Sequence, residues 1–152
     1  KRFDALVITG APVELLDFED VDYWPELREI LDWAHTHVYS SLFICWSAQA
    51  ALYHYYGINK RLLPEKLSGI YRHKVLNSLA NLTRGFDDYF NAPHSRYTEV
   101  IREQVDANED LEVIADSEEA EAEDPGKHGD EHDLLDAEFL HEERNQQDAK
   151  GL

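Results

Sequence analysis

The chain has 152 residues, 43% of them apolar and 30% charged, with a formal net charge of −18. That supplies a real core for one domain, offers no run long or apolar enough to span a membrane, and argues against nucleic-acid binding because no basic surface is left for phosphates. A single cysteine excludes an internal disulfide and suits a reducing cytoplasm.

The acidity is uneven. Residues 1–100 hold 10 Lys/Arg against 13 Asp/Glu, and residues 101–152 hold 4 against 19. The first two thirds therefore read as an ordinary folded domain. Lys1-Arg2-Phe3-Asp4 runs into a strand-like segment rather than a signal peptide. Asp4 to Thr9 is a β-rich run closed by Gly10-Ala11-Pro12, which predicts a buried strand and then a loop. After Asp20, the apolar residues Val21, Trp24, Leu27, Ile30, Leu31 and Ala34 follow a helical period to His37. Ser40 to Cys45 predicts the second strand, and Ser47 to Tyr56 a second helix stopped by Gly57. Strand, helix, strand, helix is the signature of an α/β domain with a parallel sheet flanked by helices. Further on, Leu67 to Tyr71 predicts a short strand, Pro93-His94-Ser95-Arg96-Tyr97 a polar loop, and Leu111 to Ala115 a last strand. This gives a domain over 1–117, a flexible acidic segment over 118–129 and a polar helix or tail over 130–152. Trp24, Trp33, Tyr53, Tyr55 and Tyr56 recur with helical periods and are assigned to the core. His35 and His37 suit a helix C-terminus, and no set of histidines has the spacing of a metal site.

Cys45 stands in Leu42-Phe43-Ile44-Cys45-Trp46-Ser47-Ala48-Gln49, where an apolar run turns into a helical pattern. A strand ending at Ile44 and a helix starting near Ser47 put the sulfur on a sharp strand-to-helix turn, facing helix N–H groups that favour an anion. The N–H of Trp46, directly after the sulfur, is the natural oxyanion donor. On spacing alone, nucleophile and buried core filler are equal readings of this cysteine.

Five stretches decide between them. Thr9-Gly10-Ala11-Pro12-Val13-Glu14, Asp20-Val21-Asp22-Tyr23-Trp24, Ile44-Cys45-Trp46-Ser47-Ala48-Gln49-Ala50-Ala51-Leu52, Glu65-Lys66-Leu67-Ser68-Gly69 and Pro93-His94-Ser95-Arg96-Tyr97 resemble, in order, motifs of the homoserine O-acyltransferases of the MetA type. The resemblance runs from residue 3 to about 119, and it implies a class I glutamine amidotransferase-like fold with flavodoxin-like layering. It also implies that Cys45 takes the acyl group from an acyl-CoA and passes it to the γ-hydroxyl of L-homoserine, in methionine biosynthesis. Lys66 and Ser95 match substrate-binding positions; taken singly, they would read as an exposed charge and a turn former. Arg96 suits either a substrate carboxylate or a structural ion pair.

Glu14 matches the position that selects the acyl donor. Glutamate there accompanies acetyl transfer and glycine succinyl transfer, and an added carboxylate would repel the free carboxylate of a succinyl group. Taken singly, it would begin a loop-to-helix turn. The family draws its catalytic base from a later motif, which in this chain is the shortened and rearranged Gly126-Lys127-His128-Gly129-Asp130-Glu131-His132-Asp133. Glu131 matches that motif's glutamate, while His128 or His132 would have to replace its histidine. The family's fold also has a portion preceding the strand at Asp4, so the expected domain is incomplete at its N-terminus and altered at its C-terminus. The resemblance implies no metal, no cofactor beyond the acyl-CoA substrate, and a homodimer. Three alternatives stay open: succinyl-CoA as donor, a catalytically inactive fragment of the family, and a glutamine amidotransferase using the same turn.

Overall fold

A computed structural model describes residues 1–117 and Ala120, which divide between Asn59 and Lys60 into two compact units. The predicted polar helix, the acidic segment apart from Ala120, and with them Glu131, His128 and His132, lie outside the described residues.

The first unit is built on a βαβα run. Strand β1 (Phe3–Ile8) and strand β2 (Val38–Phe43) pair in parallel, from Phe3 opposite Val38 to Ile8 opposite Phe43. Helix α1 (Trp24–His37) makes the crossover that a parallel pair requires. Pro25 sits in its first turn, where a missing N–H costs nothing. Its buried face is Trp24, Leu27, Leu31 and Ala34, at the predicted period. Helix α2 (Trp46–Tyr56) buries most of its first two turns, with Ala48, Ala50 and Ala51 small enough to let it pack closely. Gly57 closes α2 in the left-handed conformation, φ 68°, and its N–H reaches the Tyr53 carbonyl at 2.9 Å.

A short turn of 3₁₀ helix over Phe18–Asp20 drops Phe18 into the centre of the aromatic core. Phe18 stacks on Tyr53 at 4.5 Å and lies 5.4 Å from Trp24 and 6.1 Å from Trp46, centroid to centroid. Two expectations fail here. Trp33 is 39% exposed and stacks on His37 instead of entering the core. Strand β1 is not buried: Val7 is 55% exposed, because among the described residues β1 pairs only with β2. The histidine cap is seen at His37, whose Nδ1 lies 3.1 Å from the Trp33 carbonyl.

The second unit is antiparallel. Strand β3 (Lys60–Val75) pairs along its length with strand β4 (Tyr89–Val100), and a two-residue strand, β5 (Ala115–Asp116), lines the other edge of β3. The predicted strand over Leu67 to Tyr71 is the middle of β3. Pro93-His94-Ser95-Arg96-Tyr97 is not a loop but the centre of β4. Among the described strands β4 lies at the edge of its sheet, where proline is tolerated. The expected strand over Leu111 to Ala115 shrinks to Ala115–Asp116, since β3 ends at Val75 and offers no longer edge. Helix α3 (Arg102–Asp106) is tied to β5 by Arg102, which donates to Asp116 at 2.8 Å.

Alternation divides the β3–β4 hairpin into two faces. Tyr71, His73, Ala92 and His94 lie on the more buried one, and Ser68, Ile70, Pro93 and Ser95 on the exposed one. On the buried face the Nε2 atoms of His73 and His94 are 3.1 Å apart, with the rings stacked. His73 Nδ1 lies 3.1 Å from the Tyr71 carbonyl, which can only accept. Nδ1 of His73 therefore carries a proton, and of the two facing Nε2 atoms one donates and the other accepts.

Burial, then the Arg96 guanidinium, then the His73 ring push His94 down to about 4. The unfolded chain binds a proton near pH 6.5 that folded His94 refuses, so this contribution is complete above pH 6.5 and is lost as the pH falls toward 4. Urea unfolding of the parent and of His94→Gln across that window should show the stability difference narrowing by roughly 2 kcal/mol on acidification. A constant difference would mean that His94 is not the group responsible.

Candidate active site

Strands β1 and β2 run in parallel and end side by side, with the Ile44 N–H donating to the Ile8 carbonyl at 3.0 Å just beyond the last paired residues. The chain leaving β1 and the chain leaving β2 therefore emerge at one edge, the end of a parallel sheet where ligands are met. Gly10 lies on the first and Cys45 on the second.

Cys45 is the N-cap residue of α2, with φ 60° and ψ −130°, the one non-glycine residue with positive φ among the described residues. Such a conformation costs about 1 to 3 kcal/mol and persists only where the surroundings over-determine it. The thiol is exposed and, among the described residues, has no hydrogen-bond partner. The Cys45 carbonyl accepts the Ala48 N–H at 3.0 Å, so the helix begins directly behind the sulfur. The Trp46 N–H finds no acceptor among the described residues and is available to an oxyanion.

Gly10 completes this arrangement, and reading the sequence as a strand followed by a loop missed it. A β-carbon on Gly10 would sit 2.8 Å from Cys45 Cβ, 3.0 Å from Sγ and 3.3 Å from the Trp46 nitrogen. The backbone of the Gly10 turn thus forms the wall beside the sulfur and beside the free N–H. The signal was the parallel pairing itself, which brings a glycine directly after β1 to the edge where β2 ends. Glu14 is half-buried in a turn closed by the Leu16 N–H on the Val13 carbonyl at 3.0 Å, four residues beyond Gly10.

Lys66 and Ser95 belong to the second unit, where they share the exposed face of the hairpin. Ser95 pairs with Ser68, and the Lys66 ammonium lies 5.2 Å from the Tyr97 ring centroid. The strand reading of β4 is what brings them to one surface. Arg96 takes the structural option: it donates to the Ala120 carbonyl at 3.0 Å and lies 3.8 Å from the Glu99 carboxylate. His54 is engaged with Asp32 at 2.7 Å, linking α2 to α1. Among the described residues no three His, Cys, Asp or Glu side chains are grouped to hold a metal, and no helix is long and apolar enough to cross a membrane.

The close approach at Gly10 yields a direct test. Gly10→Ala must displace either the Cys45 side chain or the turn, at a cost of about 1 to 3 kcal/mol. Thermal unfolding should register that loss, and alkylation of Cys45 by iodoacetamide should change severalfold in rate. Unchanged stability together with an unchanged rate would refute the packing described.

Comparison with known proteins addresses the fold and the family. A putative GMP synthase protein from Thermoplasma acidophilum superimposes with a TM-score of 0.59 over 75% of this chain and 52% of its own, at 22% identity, which establishes the shared α/β fold. The homoserine O-acetyltransferase of Lachnospira eligens is 58% identical over 119 residues, 78% of this chain and 38% of the relative. Those of Thermotoga petrophila and Clostridium beijerinckii are 58% and 54% identical over 120 residues, 79% of this chain and 39% and 40% of theirs. The chain spans about two fifths of the length of these curated relatives. A profile described as homoserine O-succinyltransferase matches residues 1–128. These matches place the chain in the homoserine O-succinyltransferase family.

Proposed function

We propose that this chain carries the nucleophile of an acyltransferase that moves an acyl group from acyl-CoA to the γ-hydroxyl of L-homoserine, through a thioester on Cys45. The observation that carries the reading is the backbone of Cys45, held at φ 60° with its thiol exposed beside Gly10 and the Trp46 N–H. The Cys45 thiolate attacks the thioester carbonyl of acyl-CoA and a C–S bond forms. The Trp46 N–H faces the oxyanion of the tetrahedral intermediate, whose collapse breaks the old C–S bond and releases the CoA thiolate. One thioester replaces another at little energetic cost. The homoserine hydroxyl then attacks the acyl-cysteine, loses its proton to a base, and returns Cys45 as thiolate. Glu131 and either His128 or His132 are the candidates for the acid–base work.

Lys66 and Ser95 serve homoserine in this reading. An exposed ammonium on the hairpin face can meet the amino acid's carboxylate, and the Ser95 hydroxyl beside it can accept or donate to the polar backbone of the substrate. Acetyl-CoA is the donor proposed, supported by Glu14 and by the acetyltransferase names of the relatives at 58% identity. The family's own description favours succinyl-CoA as the second reading. Methionine biosynthesis, a cytoplasmic setting and a homodimer follow from the same proposal.

Intact-protein mass spectrometry after exposure to acetyl-CoA should show one acetyl adduct, absent in Cys45→Ser and removed by L-homoserine. A folded chain that takes no adduct from either donor would refute the active-enzyme reading. Glu14→Gly removes the repelling carboxylate, so the succinyl-to-acetyl ratio of initial acylation rates should rise about tenfold, equivalent to ~1.4 kcal/mol. An unchanged ratio would remove Glu14 from donor selection.

A further inference from the structure

Ser47 is the second residue of α2 and is buried at 2% exposure, yet its hydroxyl does not serve the helix. It reaches backward, to the Ile8 carbonyl at 2.6 Å and the Ile44 carbonyl at 2.9 Å, and accepts the Ile44 N–H at 3.0 Å. A hydroxyl has one hydrogen, so the two carbonyls share it while an oxygen lone pair takes the N–H. One side chain thus ties together the last residue of β1 and the residue just after β2, and the one Ile44 N–H is shared between the Ser47 oxygen and the Ile8 carbonyl.

Both tied residues border the site. The Ile44 carbonyl belongs to the peptide that precedes Cys45, the plane against which its φ is measured, so holding that plane holds the base from which the Cys45 side chain projects. Ile8 is two residues before Gly10, so the same hydroxyl anchors the turn that walls the sulfur. The tie is needed because Cys45, although the N-cap of α2, makes no side-chain capping bond. Nothing in the helix start holds the strained residue from its own side chain.

We infer that Ser47 is a positioning residue for the nucleophile, its hydroxyl clamping the ends of β1 and β2 so that Cys45 Sγ stays beside the Gly10 turn that also borders the Trp46 nitrogen. The inference rests on the acyl-transfer reading for its catalytic consequence and on the hydrogen bonds alone for its structural one. A small displacement of a reacting atom can cost two orders of magnitude in rate.

The test uses the full chain in single-turnover acylation by acetyl-CoA, at a temperature where parent and variant are both folded by circular dichroism. Ser47→Ala should lower the limiting acylation rate about thirtyfold, with the half-saturating acetyl-CoA concentration within about threefold of the parent. Ser47→Thr, which keeps the hydroxyl, should recover most of the loss. If Ser47→Ala melts below the assay temperature, Ser47→Gly, which also lacks the hydroxyl and adds no thiol, replaces it under the same criteria. A rate within about threefold of the parent, or equal losses in the alanine and threonine variants, would overturn the inference. If the parent itself takes no acyl group, the transfer reading fails, and iodoacetamide alkylation of Cys45 decides the role of Ser47. An alkylation rate changed at least about fivefold in Ser47→Ala supports the clamp, because the sulfur has left its place beside Gly10; a rate within about fivefold refutes it.

Discussion

The first unit depends on two parallel strands ending at the same level. Because Ile8 is opposite Phe43, the segments that leave β1 and β2 have nowhere to go but past each other, and only a residue without a side chain allows the passage. Gly10 and Cys45 are that crossing. The close contact lies beside a cysteine backbone in a conformation that non-glycine residues avoid, and the rest of the unit surrounds it: α2 starts behind the sulfur, hydrogen bonds tie the strand ends, and the aromatic cluster around Phe18 packs the helices. Strain of this kind is useful when the strained atom must project from a rigid turn toward a substrate.

Much of this unit was legible in the sequence. The β-rich run at Asp4, the helical period from Trp24 to Ala34 and the glycine stop at Gly57 are local signals, and each element formed within a few residues of its expected place. The turn at Cys45 was visible because an apolar run changes period there. Gly10 was not, because its importance comes from a residue far along the chain, and pairing between strands leaves no mark on either segment alone. The exposure of Val7 was missed for the same reason: an apolar run predicts what a strand prefers, not whether a neighbour covers it.

The second unit was read less well, and the cause is chemical. Proline and serine close together ordinarily mark a turn, yet Pro93 to Tyr97 form a strand because Pro93 lies on an edge among the described strands and the flanking alternation of Ala92, His94, Arg96 and Thr98 supplies an inward face. Polar residues occupy that face by pairing with one another, as the two histidines do. The resemblance gave Lys66 and Ser95 their candidate roles, and the antiparallel register explains why positions so far apart in sequence share one surface.

The register also determines where this hairpin can change length. Between Leu62 opposite Thr98 and Leu67 opposite Arg96, β3 advances five residues while β4 moves two, so β3 carries an odd excess and its alternation is reset across the bulge. Removing or adding one residue there makes the excess even, and plain alternation then keeps both ends of β3 on the faces their β4 partners set. The connection between Val75 and Tyr89 carries no such parity. Viable insertions and deletions among homologous chains are therefore expected to collect in that connection and at the bulge, and to avoid the regular ladder from Leu67 to Lys74, where one residue turns every side chain beyond it to the other face.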